Sequence, residues 1–253
     1  MRIGPWWIDA FTLRVLGATV TALMWLKWEA SRREAIREPH LGRWLLAIAI
    51  GALLLGRAGY VGIHADYFWQ NPQDVLDVRE IGGINGTSAL LGGLIVVTVW
   101  ASIGQRRFWS LLSLLAPAAL WIGAGAWWAC QKTGCAWGKT VSAVGNHPTW
   151  FAVEAPDLYQ MVEPRYPVRI VGIGWAATMA GLAWALGKDG AWALALYMAG
   201  AAGLTLLRGD AVPMIGGVRS DTAAQGTLAV ALICYGCLRG WRIARTTGDK
   251  PDL

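Results

Sequence analysis

The chain reads as long apolar runs separated by short polar punctuation. Seven runs, at about 10–28, 44–63, 84–104, 108–129, 168–187, 190–207 and 223–241, consist mostly of Leu, Ala, Val, Ile and Trp. A helix of roughly 20 apolar residues crosses ~30 Å of hydrocarbon, so the pattern predicts seven transmembrane helices and an all-α integral membrane protein. Glycines recur inside the runs, as at Gly92-Gly93, Gly123 and Gly125. Small residues let helices approach closely in lipid. Tryptophans gather at the run ends (Trp6, Trp7, Trp25, Trp28, Trp44, Trp100, Trp109, Trp127, Trp128), where indole suits the headgroup level. The first run carries Arg14 and lacks a small-residue cleavage site, so it is expected to remain a span rather than a cleaved signal peptide. The longest polar segment, about 130–167, holds Gly145, Asn146, Pro148, Pro156, Pro164 and Pro167. That composition forbids a long helix and predicts a packed loop. We expect a single transmembrane domain over 1–253, without an internal repeat.

Composition supports this picture and then orients it. Of 253 residues, 55% are hydrophobic and 15% are charged, too few charges to coat a soluble globule. The same values exclude disorder, and glycines without a three-residue period exclude a collagen-like chain. The net charge of +6 would suggest nucleic acid in a soluble protein, but here it follows loop placement. The segments after spans one, three and five, with the C-terminal tail, carry 12 basic and 6 acidic residues; the opposite side carries 8 and 10. Arg14 and Arg57 lie within spans. The positive-inside rule then predicts the N-terminus outside, the C-terminus in the cytoplasm and the 130–167 loop extracytoplasmic.

Candidate chemistry is sparse. Arg57 lies deep in the second span, within Gly56-Arg57-Ala58-Gly59-Tyr60. Charge there is costly, so it is either an anchor for a lipid phosphate or a structural arginine that pairs with Asp66, caps carbonyls or snorkels. Arg208 and Asp210 end the sixth span, as a functional pair or a surface pair. The glycine-rich stretch Gly82-Gly83-Ile84-Asn85-Gly86-Thr87 opens the third span, as an anion-binding helix start or a simple turn. Cys130 and Cys135 fall on the oxidising side, where a disulfide closing a short loop is expected if geometry permits. Cys234 and Cys237 share a helix face and read as packing residues. His40 is on the opposite side from His64 and His147, which read as ordinary loop histidines. No metal set, cofactor fingerprint or nucleophile elbow is present, so neither metal nor cofactor is expected.

The order of these pieces resembles the prolipoprotein diacylglyceryl transferase family, over nearly the whole chain. Ile3-Gly4-Pro5 is similar to the family's opening I-G-P. Gly56-Arg57-Ala58-Gly59-Tyr60-Val61 is similar to G-R-x-G-Y-V, and Gly82-Gly83-Ile84 to G-G-M. Gly134-Cys135-Ala136-Trp137-Gly138-Lys139 resembles G-E-x-W-G-R, and Pro164-Arg165-Tyr166-Pro167 contains a variant of R-H-P. Tyr197, Arg208 and Gln225 match in place. The resemblance implies a multi-pass protein of the bacterial cytoplasmic (inner) membrane with seven spans in the same orientation. Its implied reaction moves diacylglyceryl from phosphatidylglycerol to a lipobox cysteine of a preprotein: the thiolate attacks the glyceryl carbon and glycerol phosphate leaves. The implied partners are phospholipid and preprotein, without nucleic acid. Arg57, Tyr60, Tyr197 and Arg208 are the implied headgroup ligands.

Four positions depart from the family pattern where chemistry is expected. Thr87 stands for histidine, Trp127 for arginine, Cys130 for asparagine and Cys135 for glutamate; Tyr166 replaces the histidine of R-H-P, and Lys132 is an added cation. Losing a base or a phosphate clamp costs typically ~10²–10⁴-fold each. The catalytic residues are therefore left unassigned, and two readings stand. One is a lipid-to-thiol transferase with altered site chemistry. The other is a degenerate family member that binds lipid or serves in a membrane complex, and the four substitutions weigh toward it. The Trp127-Trp128 pair is expected to fill the former site cavity.

Overall fold

A computed structural model describes residues 2–3, 6–7, 10–32, 40–77, 83–104, 107–141, 151–157 and 159–248. His147, Gly82 and the side chain of Lys132 lie outside the described residues. The chain is mostly helical: α1 (Ala10–Arg32), α2 (Leu41–Ile63), α3 (Ala65–Gln70), α4 (Gly86–Ile103), α5 (Phe108–Thr133), α6 (Val168–Leu186), α7 (Ala191–Thr205) and α8 (Ser220–Gly248). Every expected span appears as a helix. Six of them are long and apolar enough to cross a membrane, while α7 has 15 residues. At ~1.5 Å per residue, α7 alone covers less than the ~30 Å core.

Two compact units form, one from residues 33–112 and the other from 1–32 with 113–253. In the first, α2 packs on α4 along a seam of small residues. A Cβ added at Gly51 would lie 2.7 Å from a Val96 methyl and 3.2 Å from the Gly92 carbonyl oxygen. Gly59 touches Ser88 in the same way, so glycine at these positions is what lets the backbones meet. Asn85 caps α4 by accepting from Ser88 N–H at 2.9 Å, while its own N–H donates to the Gly56 carbonyl.

In the second unit, α7 packs against α6 and α8 and is buried on most sides through Ala193, Leu194, Ala195, Met198 and Ala201. Its alanines permit close neighbours all round. Pro117 lies inside α5, a position tolerated when surrounding helices satisfy the backbone. Leu13, Leu16, Val20, Val230 and Leu238 face outward, as they should toward lipid.

Three antiparallel strand pairs decorate the helices: β1 (Arg2–Ile3) with β2 (Trp6–Trp7), β3 (Val153–Pro156) with β4 (Val162–Arg165), and β5 (Met214–Ile215) with β6 (Val218–Arg219). Two expectations are corrected here. Trp100 and Trp109 are fully buried rather than interfacial, and Trp100 stacks on Trp44 with centroids 5.4 Å apart. Their large rings are used for helix packing. Cys234 and Cys237 are exposed beside Leu238 and Trp241 on α8, not packed against a neighbouring helix.

Candidate functional site

Arg57 is buried, and its guanidinium is engaged by the chain that follows its own helix. Nε donates to the Val75 carbonyl at 2.8 Å, Nη2 to those of Asp74 and Asp77 at 2.8 and 2.9 Å, and Nη1 to that of Gly83 at 3.2 Å. Tyr60 and Phe68 flank the cation, with centroids 5.5 and 5.2 Å from it. Gly83 adopts φ +107° and packs on the Tyr60 ring, where a Cβ would collide with it. The His64 ring packs on Tyr60 at a tilt of 36°, its Nδ1 3.0 Å from the Tyr60 carbonyl oxygen. Of the alternatives open for Arg57, the geometry shows carbonyl capping. Thr87 sits in the first turn of α4, and a hydroxyl there supplies no base near neutral pH.

The second unit gathers most of the altered motif. Helix α5 ends at Thr133; Gly134 after it takes φ +75°, and Ala136 follows at φ +50°. Cys130 and Cys135 are joined in a disulfide across this turn. The strip after it is tied on both sides. Lys139 N–H donates to Leu207, Gly209 N–H to Trp137, Tyr166 N–H to Lys139 and Val141 N–H to Pro164. The 137–141 strip therefore holds the start of α6 to the end of α7. Gly138 lies so close to the Tyr166 backbone that no side chain fits.

Trp127 is half-buried against the Gly172 backbone of α6, and its Nε1–H donates to the Tyr197 hydroxyl at 3.2 Å. It fills space among α5, α6 and α7. Trp128 instead turns outward, half-exposed, with Arg14 4.8 Å from its ring and donating to its carbonyl. Arg208 is ion-paired with Asp210 and, at 3.4 Å, with Asp221; Arg219 bridges the same two carboxylates at 3.3 and 3.1 Å. Burial alone would lower the Arg219 pKa, but the hydrogen bond and charge of Asp221, followed by Asp210, raise it above the ordinary value. Two cations and two anions thus close on themselves.

Beside the disulfide lies a cavity of about 270 Å³, with Gln131, Gly138, Glu154, Tyr166, Pro167 and Arg169 among its lining residues. Arg169 is buried; its Nε donates to the Cys135 carbonyl at 2.8 Å and its Nη2 to that of Pro156 at 2.9 Å. Its neighbour Arg165 pairs with Asp157 at 3.2 Å and Glu163 at 2.6 Å. Sequence reasoning counted Arg169 only as an outside charge. The signal available was its place in the first turn of an apolar span, directly after Pro167. Arg219 and Asp221 were missed as partners of Arg208 because the β5–β6 hairpin brings them there.

The family described as prolipoprotein diacylglyceryl transferase matches residues 1–242. Among curated proteins, the chain is similar to the phosphatidylglycerol–prolipoprotein diacylglyceryl transferase of Bacillus cytotoxicus, at 26% identity over 121 residues, which is 47% of this chain and 44% of that protein. It is also similar to the protein of that name from Limosilactobacillus reuteri, at 29% identity over 125 residues, 49% of this chain and 45% of the relative. The aligned part thus spans less than half the length of these relatives.

Proposed function

Because the chain belongs to the prolipoprotein diacylglyceryl transferase family, we propose that it transfers diacylglyceryl from phosphatidylglycerol to the cysteine thiol of a lipobox segment. The protein is a multi-pass protein of the bacterial cytoplasmic membrane. In this reading 1–253 is one transmembrane domain with seven crossings, α7 being the short one. The N-terminus and the 130–167 loop lie outside and the C-terminus lies in the cytoplasm; the uneven distribution of basic residues supports that orientation. The substrates are those in the relatives' names, a phosphatidylglycerol and a prolipoprotein.

The observation that carries the reading is the family match over 1–242, joined to a cavity where the altered motif segments converge. The chemistry needs a proton acceptor for the thiol and donors for the departing phosphate. Neither disulfide sulfur is available as thiolate base or acceptor while Cys130 and Cys135 are joined. Arg57, Tyr60, Tyr197 and Arg208, read from the sequence as headgroup ligands, serve in this proposal as the frame, since Arg57, Tyr197 and Arg208 engage backbone, tryptophan and carboxylate and the Tyr60 ring packs on Arg57, His64 and Gly83.

A second reading has its own support: Trp127, which by resemblance stands for an arginine, is hydrogen-bonded to Tyr197. It is a degenerate member that binds lipid or joins a membrane complex without transfer. Mass spectrometry of a lipobox peptide incubated with the protein and phosphatidylglycerol distinguishes the two. Transfer predicts a diacylglyceryl adduct on the peptide cysteine. Its absence, where a family member with the complete motif gives one, overturns the transferase reading and leaves the degenerate one.

A further inference from the structure

We propose that the cavity beside the disulfide is a binding site for a phosphate group, with the Arg169 guanidinium as its anchor and Gln131 as a second donor. Three observations meet there. First, Arg169 is buried, yet only Nε and Nη2 have partners, both neutral carbonyls; Nη1 has none among the described residues. A buried guanidinium without a carboxylate carries a desolvation cost that a bound anion offsets.

Second, the carboxylates whose charge reaches Arg169, Asp157 and Asp210, are already ion-paired with other arginines. Asp157 pairs with Arg165, and Asp210 with Arg208 and Arg219. Third, Arg169 lines open space of about 270 Å³, just below the ~300–1,000 Å³ typical of drug-sized ligands, a size suited to a headgroup. The two carbonyl bonds hold the guanidinium plane, which leaves a planar donor edge suited to phosphate oxygens. Exposed Glu154 also lines the cavity and opposes anion binding.

The inference deepens the proposed function by naming where the substrate phosphate sits, and it rests on that reading for its lipid source. The shared chemistry is a phosphate ester, from an anionic lipid headgroup or from free glycerol phosphate. The test uses the full chain in phosphatidylcholine nanodiscs titrated with short-chain phosphatidylglycerol, glycerol phosphate and inorganic phosphate, followed by ³¹P NMR. Saturable binding is expected for at least one probe. Phosphatidylglycerol alone assigns a lipid source, and glycerol phosphate assigns a soluble one. Arg169→Gln should weaken that binding on the order of tenfold or more, with Arg169→Lys between the two. Glu154→Gln, at an exposed position, should tighten it about two- to fivefold.

Absence of saturable binding by every probe overturns the site, as does unchanged affinity in Arg169→Gln. Should Arg169→Gln fail to fold, unchanged affinity in Glu154→Gln overturns it instead. Binding that depends on Arg169 without adduct in the peptide assay refutes transfer alone. An adduct with no Arg169-dependent binding refutes this site alone.

Discussion

Arg57, inside α2, and Arg169, in the first turn of α6, are both buried arginines of apolar helices, and their surroundings differ in kind. Arg57 is wrapped by the chain that follows it: four carbonyls from 74–83 meet its donors and two aromatic rings flank it. Arg169 meets two carbonyls and open space. The first arrangement satisfies a cation with backbone and so fixes a loop. The second leaves a donor available to a ligand. Burial of a charge in a membrane helix thus points to function only after its donors have been counted.

The largest expected effect is at the closed site. Arg57→Ala removes four hydrogen bonds from a charged donor to half-buried loop carbonyls, and bonds of this kind are worth ~1.5–3 kcal/mol each, so thermal unfolding in detergent should show a loss of roughly 3 kcal/mol or more. A stable Arg57→Ala protein that has lost only lipid binding would break the comparison. Gly172→Ala comes next. Its methyl meets the Trp127 ring, and overpacking of this kind costs about 1–3 kcal/mol, with a change in tryptophan fluorescence as Trp127 leaves Tyr197.

A smaller loss, about 1–2 kcal/mol, is expected for Asp221→Asn, which leaves Asp210 to balance two half-buried arginines. Its pH dependence has a definite sign. Arg219 has a raised folded pKa, so its stabilisation is complete below the unfolded arginine value and is lost only as pH rises through the folded one. Melting curves should therefore show no contribution from Arg219 titration between pH 6 and 9, a range chosen as roughly neutral. The smallest effect is at Tyr67, whose hydrogen bond to Asp74 raises its pKa, helped by slight desolvation and the Asp74 charge. Asp74→Asn should bring its phenolate titration, read by ultraviolet absorption, back toward the ordinary tyrosine range, without altering Arg57, which uses the Asp74 backbone carbonyl.

Much of the frame was legible from the lengths of the apolar runs. The run at 168–187 forms α6 at Val168–Leu186, and the run at 44–63 lies within α2. Apolar length alone predicts such helices because lipid leaves the backbone no other partner. The site was less legible. Arg57's partners come from 74–83, and nothing local says that this segment folds back. The Arg208 quartet depends on the β5–β6 hairpin, which starts at Met214 and returns Arg219 and Asp221. Arg169 could not be separated from the other cations that charge counting assigns to the same side, because its significance lies in a missing partner, a property of three-dimensional packing.

Hydrogen–deuterium exchange in nanodiscs with and without phosphatidylglycerol reads both regions in one measurement. The account predicts added protection in 131–139 and 153–171, around Arg169, with 74–85 around Arg57 unchanged. Protection confined to 74–85 would contradict it.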